Sequence, residues 1–70
     1  MDALDWRALV AEAVHRRKAE GLTQRDLAAL AAVSPPTIIA FERGETSLRL
    51  DKALEILRVV GLAVLPERQN

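Results

Sequence analysis

The sequence predicts a compact all-α domain of four helices, and three observations indicate it. Half of the 70 residues are hydrophobic, and tyrosine and cysteine are absent. The apolar residues are mainly alanine, leucine and valine, a composition that favours helices over sheets. They recur at three- and four-residue steps, the spacing of one helix face. Hydroxyl residues and glycines stand where the helices would begin and end. We expect one domain over residues 1–70, near the lower size limit for a single core.

The first two helices are predicted by their apolar faces and their end residues. Helix 1 is expected from Leu4 to Glu20, and Gly21 ends it because glycine adopts a positive φ at little cost. Helix 2 is expected from Gln24 to about Ala31. Thr23 precedes it as a capping residue, with Asp26 three positions later. The predicted inner positions of helix 2 are Leu27, Ala28, Leu30 and Ala31.

The last two helices follow the same signals. Helix 3 is expected to begin after the cap Ser34 and to end near Arg43, with Ile38 and Phe41 pointing inward. Its first two residues are prolines, which the first helical turn tolerates because amides there lack an intrahelical partner. Helix 4 is expected from Leu50 to Val60. Its predicted inner positions are Leu50, Ala53, Leu54, Leu57 and Val60.

The four apolar residues 62–65 lie between Gly61 and Pro66 and are followed by a polar tail, residues 66–70. So short a segment after a glycine predicts a β-strand. Its open edge would be satisfied by the same strand of a second copy. We therefore expect a dimer interface, although an arm folded back on its own core is the alternative. The predicted interface residues are Val59, Leu62, Ala63, Val64 and Leu65.

Several function classes are disfavoured. No apolar run approaches the length of a membrane span, and the N-terminus lacks the layout of a signal peptide. With no cysteine, a cytoplasmic location is expected. The single histidine, His15, has no second metal ligand at a suitable spacing, and no catalytic arrangement of side chains is recognisable. We expect no enzyme, no cofactor and no metal.

The charge balance bears on nucleic-acid binding. The net charge is zero, but residues 16–52 hold seven basic and five acidic side chains, a net charge of +2. Phosphate neutralisation supplies much of the affinity of DNA-binding proteins. A monomer this weakly basic is expected to bind DNA poorly, and a dimer would double the contacts.

Residues 23–42 contain the most informative pattern, two short helices separated by a tight turn. The segment resembles the helix-turn-helix of the lambda-repressor/Cro-like family, also called the xenobiotic-response-element family. The residues that carry the resemblance are Leu22-Thr23-Gln24, Leu27-Ala28, Val33-Ser34, Ile38 with Phe41, and Glu42-Arg43-Gly44. The apolar helix 4 and the following Gly-Leu resemble the HipB-like antitoxin branch of this family, in which terminal strands of two subunits pair.

The resemblance implies roles for individual residues. Helix 3 would enter a DNA major groove, Gln24 would touch a phosphate and support helix 3, and Arg17 would pair with Glu42. Pro35, Pro36 and Ala40 fall on base-contacting positions but cannot make bidentate hydrogen bonds to a base. Backbone amides at the Ser34 helix start are expected to hold a phosphate. The predicted DNA-binding residues are Thr23, Gln24, Arg25, Ser34, Pro35, Pro36, Thr37, Ile39, Ala40 and Arg43.

The function implied is that of a homodimeric, sequence-specific DNA-binding repressor on a pseudo-palindromic operator in double-stranded DNA. The HipB-like features imply the antitoxin and autorepressor of a toxin–antitoxin operon, with a toxin protein as a further partner. The alternative is a protein-interaction module on the same fold that restrains a partner and binds DNA weakly. The zero net charge and the apolar surface of helix 3 favour the alternative.

Overall fold

A computed structural model describes residues 5–64 and contains four α-helices in this part of the chain. They are α1 (Trp6–Ala19), α2 (Gln24–Ala31), α3 (Pro35–Glu42) and α4 (Leu50–Val59). The predicted helices are therefore confirmed, with ends shifted by one or two residues. No helix among the described residues is long and apolar enough to cross a membrane.

Side-chain caps define where α1, α2 and α3 begin. Asp5 accepts a hydrogen bond from the Ala8 amide at 3.1 Å, and α1 starts at the next residue. Thr23 and Asp26 form a reciprocal capping box at α2. Hydrogen bonds to the backbone and side chain of Thr23 lower the pKa of Asp26. The contribution of this carboxylate to stability is therefore present above its ordinary pKa and is lost as the pH falls through the lowered value.

The turn between α2 and α3 contains an alanine in a left-handed conformation. Ala32 has φ 56° and ψ 42°, and its amide donates to the carbonyls of Ala28 and Ala29. The Val33 amide also donates to Ala28, at 3.0 Å, so the last turn of α2 is closed in the manner of a Schellman motif. The other three helices end at glycines with positive φ. An L-residue in this conformation is strained by its Cβ.

Replacing Ala32 with glycine is expected to stabilise the protein by about 0.5–1 kcal/mol, because removal of the Cβ strain exceeds the added chain entropy of the unfolded state. Ala32 is exposed, so little packing is lost. The matched control is Ala29→Gly, an exposed position inside α2, which should destabilise by about 1 kcal/mol. Urea denaturation measures both variants. If the two variants lowered the free energy of unfolding equally, Ala32 would carry no Cβ strain.

The core lies where the four helices meet. Its largest fully buried side chains are Leu27, Ile38, Phe41 and Ile56. The Trp6 ring packs edge-on against Phe41 with centroids 5.6 Å apart, which links α1 to α3. Smaller side chains complete the buried set: Val10, Ala13, Ala28, Ala31, Ala53, Leu57 and Val60.

Two predicted core positions are wrong, and a third, Leu54, is only half-buried and outside the core cluster. Leu30 is 56% exposed and Leu50 is 72% exposed. Leu30 lies about 100° around the helix from the centre of the buried stripe of α2, given the ~100° turn per residue. Leu50 is the first residue of α4, and no other helix covers it. The fully buried Ile56 takes a core position of α4 that the sequence pattern missed.

The predicted strand is not formed by the described residues 62–64. The Leu62 amide instead donates to the carbonyl of Leu57 at 2.8 Å and closes the end of α4. Leu62 and Ala63 pack partly buried against the chain's own core, whereas Val64 is 93% exposed. A segment with no neighbouring strand has no ladder partner for its amides, so it follows the helix end. Leu65 and the tail 66–70 lie outside the described residues.

Candidate nucleic-acid interface

The α2–α3 unit presents one face of α3 away from the core. Ile38 and Phe41 are fully buried, which confirms the predicted inward pair. Because these side chains hold one side of the helix, residues 35–37, 39 and 40 are left on its other sides. Pro35 and Pro36 are exposed, Ile39 is 40% exposed, and Thr37 and Ala40 are half-buried.

A buried ion pair fixes the far end of α3. The Arg17 guanidinium donates to Glu42 through Nε at 2.7 Å and through Nη2 at 3.1 Å. Both side chains are about nine-tenths buried, with exposed fractions of 10% and 9%. The third guanidinium nitrogen, Nη1, donates to the Leu22 carbonyl at 2.7 Å. A fork-shaped contact of this kind sets direction as well as distance.

Gln24 joins the same network. Its side-chain amide donates to Glu42 Oε1 at 2.9 Å. Glu42 therefore binds α1 through Arg17 and the first residue of α2 through Gln24, while it forms the last residue of α3. The network orients α3 relative to the two helices before it. The predicted contact of Gln24 with a DNA phosphate stays a prediction.

Two arginines of the helix-turn-helix segment are exposed. Arg25 is the second residue of α2, and Arg43 directly follows α3. Both are exposed, and neither forms an ion pair with any other residue between 5 and 64. Arg58, by contrast, pairs with Glu55 at 3.0 Å. Arg25 and Arg43 are thus able to offer their full charge to a phosphate.

The start of α2 supplies more free backbone donors than the first helical turn of α3. The amides of Gln24 and Arg25 make no hydrogen bond within the described residues, as is usual for a first helical turn. At α3 the first two residues are prolines without an N–H, and the Thr37 amide already donates to Ser34. The expected phosphate site at the Ser34 helix start therefore has few free amides, and it stays a prediction. The start of α2 keeps two free amides, those of Gln24 and Arg25, at the positive end of its helix dipole.

Sequence reasoning missed the role of Arg16. This side chain donates through Nη1 to the carbonyls of Val60 and Gly61, each at 3.2 Å, and pairs with Glu12. It therefore caps the end of α4 instead of contributing free charge to a surface. The run of three basic residues gave a signal for Arg17, through its place on the apolar face of helix 1, but none that Arg16 would reach the end of a distant helix.

Metal binding is not indicated by the described part of the chain. No group of three or more histidine, cysteine, aspartate or glutamate side chains in residues 5–64 is placed to hold a metal ion.

Two short helices joined by a tight turn, with the second held so that one face stays outward, define a helix-turn-helix protein. The sequence model of the helix-turn-helix family matches residues 15–64, and the chain belongs to this Cro/lambda-repressor-like family. It is also similar to a Haemophilus influenzae protein named as an uncharacterized HTH-type transcriptional regulator, with 33% identity over 63 residues. That alignment covers 87% of this chain, which spans 64% of the length of the relative.

Proposed function

We propose that this protein is a sequence-specific DNA-binding transcription regulator that acts as a repressor, with α3 in the major groove. The observation that carries the proposal is the Arg17–Glu42–Gln24 network, which holds α3 at a defined angle with its outer face free. The free charges of Arg25 and Arg43 and the open amides of α2 suit phosphates on either side. Family membership and the regulator name of the relative support the same function.

Dimerisation is part of the proposal. The zero net charge leaves one subunit few phosphate contacts, and two subunits double them. Leu62 and Ala63 already pack partly on their own core, so an interface would use the exposed Val64 and the half-buried Val59. A two-fold axis between the subunits would match a pseudo-palindromic operator.

One prediction of this function concerns phosphate contact by Arg43. Arg43→Ala should weaken binding to the chain's own promoter fragment and to unrelated DNA alike, and should reduce the salt slope by about one unit. Arg58→Ala is the matched control, because Arg58 is exposed but paired with Glu55 on α4, and it should leave the slope unchanged. Gel shifts at several salt concentrations measure both. A loss of discrimination at a single base pair would instead assign Arg43 to a guanine.

Another prediction concerns the symmetry of the protein–DNA complex. On a bound operator, the two copies of α3 should be roughly 34 Å apart, one turn of the double helix. Hydroxyl-radical footprinting should therefore show two protected half-sites related by a two-fold axis. Sedimentation of the complex should give two chains per duplex. A single unsymmetric half-site bound by one chain would contradict the dimer.

A narrower role as antitoxin and autorepressor of a toxin–antitoxin operon is the further part of the proposal. It is supported by the HipB-like pattern of an apolar helix 4 followed by Gly61-Leu62. Co-expression with the protein of the neighbouring gene tests it. A stable complex that restrains a toxic neighbour would support the role, and a neighbour that is neither bound nor toxic would exclude it.

The second candidate function is a protein-interaction module with weak DNA binding. The exposed Leu30 and Leu50 and the zero net charge favour it. The gel shifts described above separate the two candidates. Binding no tighter to the promoter than to unrelated DNA would favour the interaction module.

A further inference from the structure

The outward face of α3 is apolar over almost its whole length. Pro35 and Pro36 are exposed, Ile39 is 40% exposed and Ala40 is half-buried. None of these side chains carries a hydrogen-bond donor or acceptor. On a surface that would face DNA, this composition limits what the helix can recognise.

The polar groups of the first turn are already engaged with one another. The hydroxyl groups of Ser34 and Thr37 share a hydrogen bond at 2.9 Å. The Thr37 amide donates to Ser34, and the two prolines have no N–H. The helix therefore offers a base edge neither a bidentate side chain nor a free amide between residues 35 and 37. Bidentate side-chain hydrogen bonds to guanine or adenine, which specify those bases in the major groove, are excluded there.

The charged residues near the apolar face of α3 in the chain indicate which kind of molecule it would bind. Arg25 and Arg43 precede and follow the apolar face along the chain, and both are exposed without an ion pair among residues 5–64. The unpaired amides of Gln24 and Arg25 stand at the start of α2. An apolar face with two exposed arginines near it in the chain fits duplex DNA, whose phosphates are anionic and whose major groove presents one apolar group, the C5-methyl of thymine. A wholly apolar protein partner would leave both arginines unpaired.

We propose that α3 recognises DNA through the C5-methyl groups of thymine, with Ile39 as the main contacting residue and with Pro35, Pro36 and Ala40 around it. This inference rests on the proposed function and names the chemistry that the site reads. The operator is then one in which thymines occupy the positions beneath α3. Discrimination comes from burial of methyl groups and not from hydrogen bonds to purines.

The experiment removes only the methyl group. The protein first selects duplexes from a random-sequence pool, and footprinting locates the positions that it protects in the enriched duplex. Binding is then measured with thymine and with deoxyuridine at those positions. Deoxyuridine keeps the hydrogen-bonding edge of thymine and lacks its methyl group. The expected loss of affinity is about fourfold for each methyl group that the protein buries.

Two variants test whether the loss of affinity on removal of the methyl group depends on α3. Ile39→Ala should bring the ratio of thymine to deoxyuridine affinity close to one. Leu30→Ala removes an exposed aliphatic side chain from α2 and should leave that ratio unchanged. The ratio compares two duplexes with the same protein, so a moderate loss of stability in either variant does not affect it.

The outcomes separate this inference from the proposed function. If the pool yields no enriched duplex and no duplex is bound, the DNA-binding function itself is overturned. If an enriched duplex is bound equally with thymine and deoxyuridine, the methyl inference is overturned and the DNA-binding function stands. A loss of affinity that persists unchanged in Ile39→Ala would remove Ile39 from the contact.

Discussion

Replacing Glu42 with alanine is expected to lower the free energy of unfolding by about 3–5 kcal/mol, because it leaves the buried Arg17 charge without its partner. The Gln24 amide loses its acceptor in the same step. Typical domains are stable by only about 5–15 kcal/mol, so this single change should bring a 70-residue chain close to unfolding. Urea denaturation followed by circular dichroism measures the effect.

Two control variants test whether the loss of a buried charge partner causes this destabilisation. Glu55→Ala breaks an exposed ion pair with Arg58 and should cost less than about 1 kcal/mol. The double variant Arg17→Met with Glu42→Leu removes both charges and should be more stable than Glu42→Ala alone. If Glu42→Ala cost no more than the Glu55 control, the network would not hold α3 in place.

Replacing Phe41 with alanine is expected to cost about 3–5 kcal/mol, the usual range for a fully buried phenylalanine. Phe41 has no exposed surface and contacts the ring of Trp6. Its loss should therefore also change the fluorescence of the single tryptophan, which reports the packing of α1 against α3. Denaturation curves recorded by tryptophan fluorescence give both quantities.

Ile39→Ala is the matched control for Phe41, since it truncates a side chain on the outer face of the same helix. It should cost less than about 1 kcal/mol and leave the tryptophan signal of the folded state unchanged. Comparable losses in the two variants would mean that the inner and outer faces of α3 are assigned wrongly. The DNA-contacting face would then have to be assigned anew.

Local rules in the sequence were enough to place the helices. The caps at Thr23 and Ser34 and the glycines after α1, α3 and α4 mark helix ends through hydrogen bonds and φ preferences within a few residues. The inward pair Ile38 and Phe41 also follows from helical spacing alone. These signals depend on residues close together in the chain, so they can be read without knowledge of the tertiary structure.

Part of the candidate site was also visible in the sequence. The motif indicated Arg17, Gln24 and Glu42 through family resemblance, and the structure places all three in one network. The scarcity of backbone donors at the start of α3 also follows from its two prolines, because proline has no N–H. That Arg25 and Arg43 form no ion pair within residues 5–64 could not be predicted, since that depends on which carboxylates the fold brings near them.

The sequence by itself determined the four helices, the tight turn between α2 and α3 and the apolar composition of the α3 surface, because each depends on residues near one another in the chain. The tertiary structure decided that Leu30 and Leu50 are exposed, that Arg16 caps α4 from 44 positions away, and that residues 62–64 follow the helix end without forming a strand. Those outcomes depend on which helix covers which face and which carbonyl a distant guanidinium can reach, and periodicity along a single chain does not contain that information.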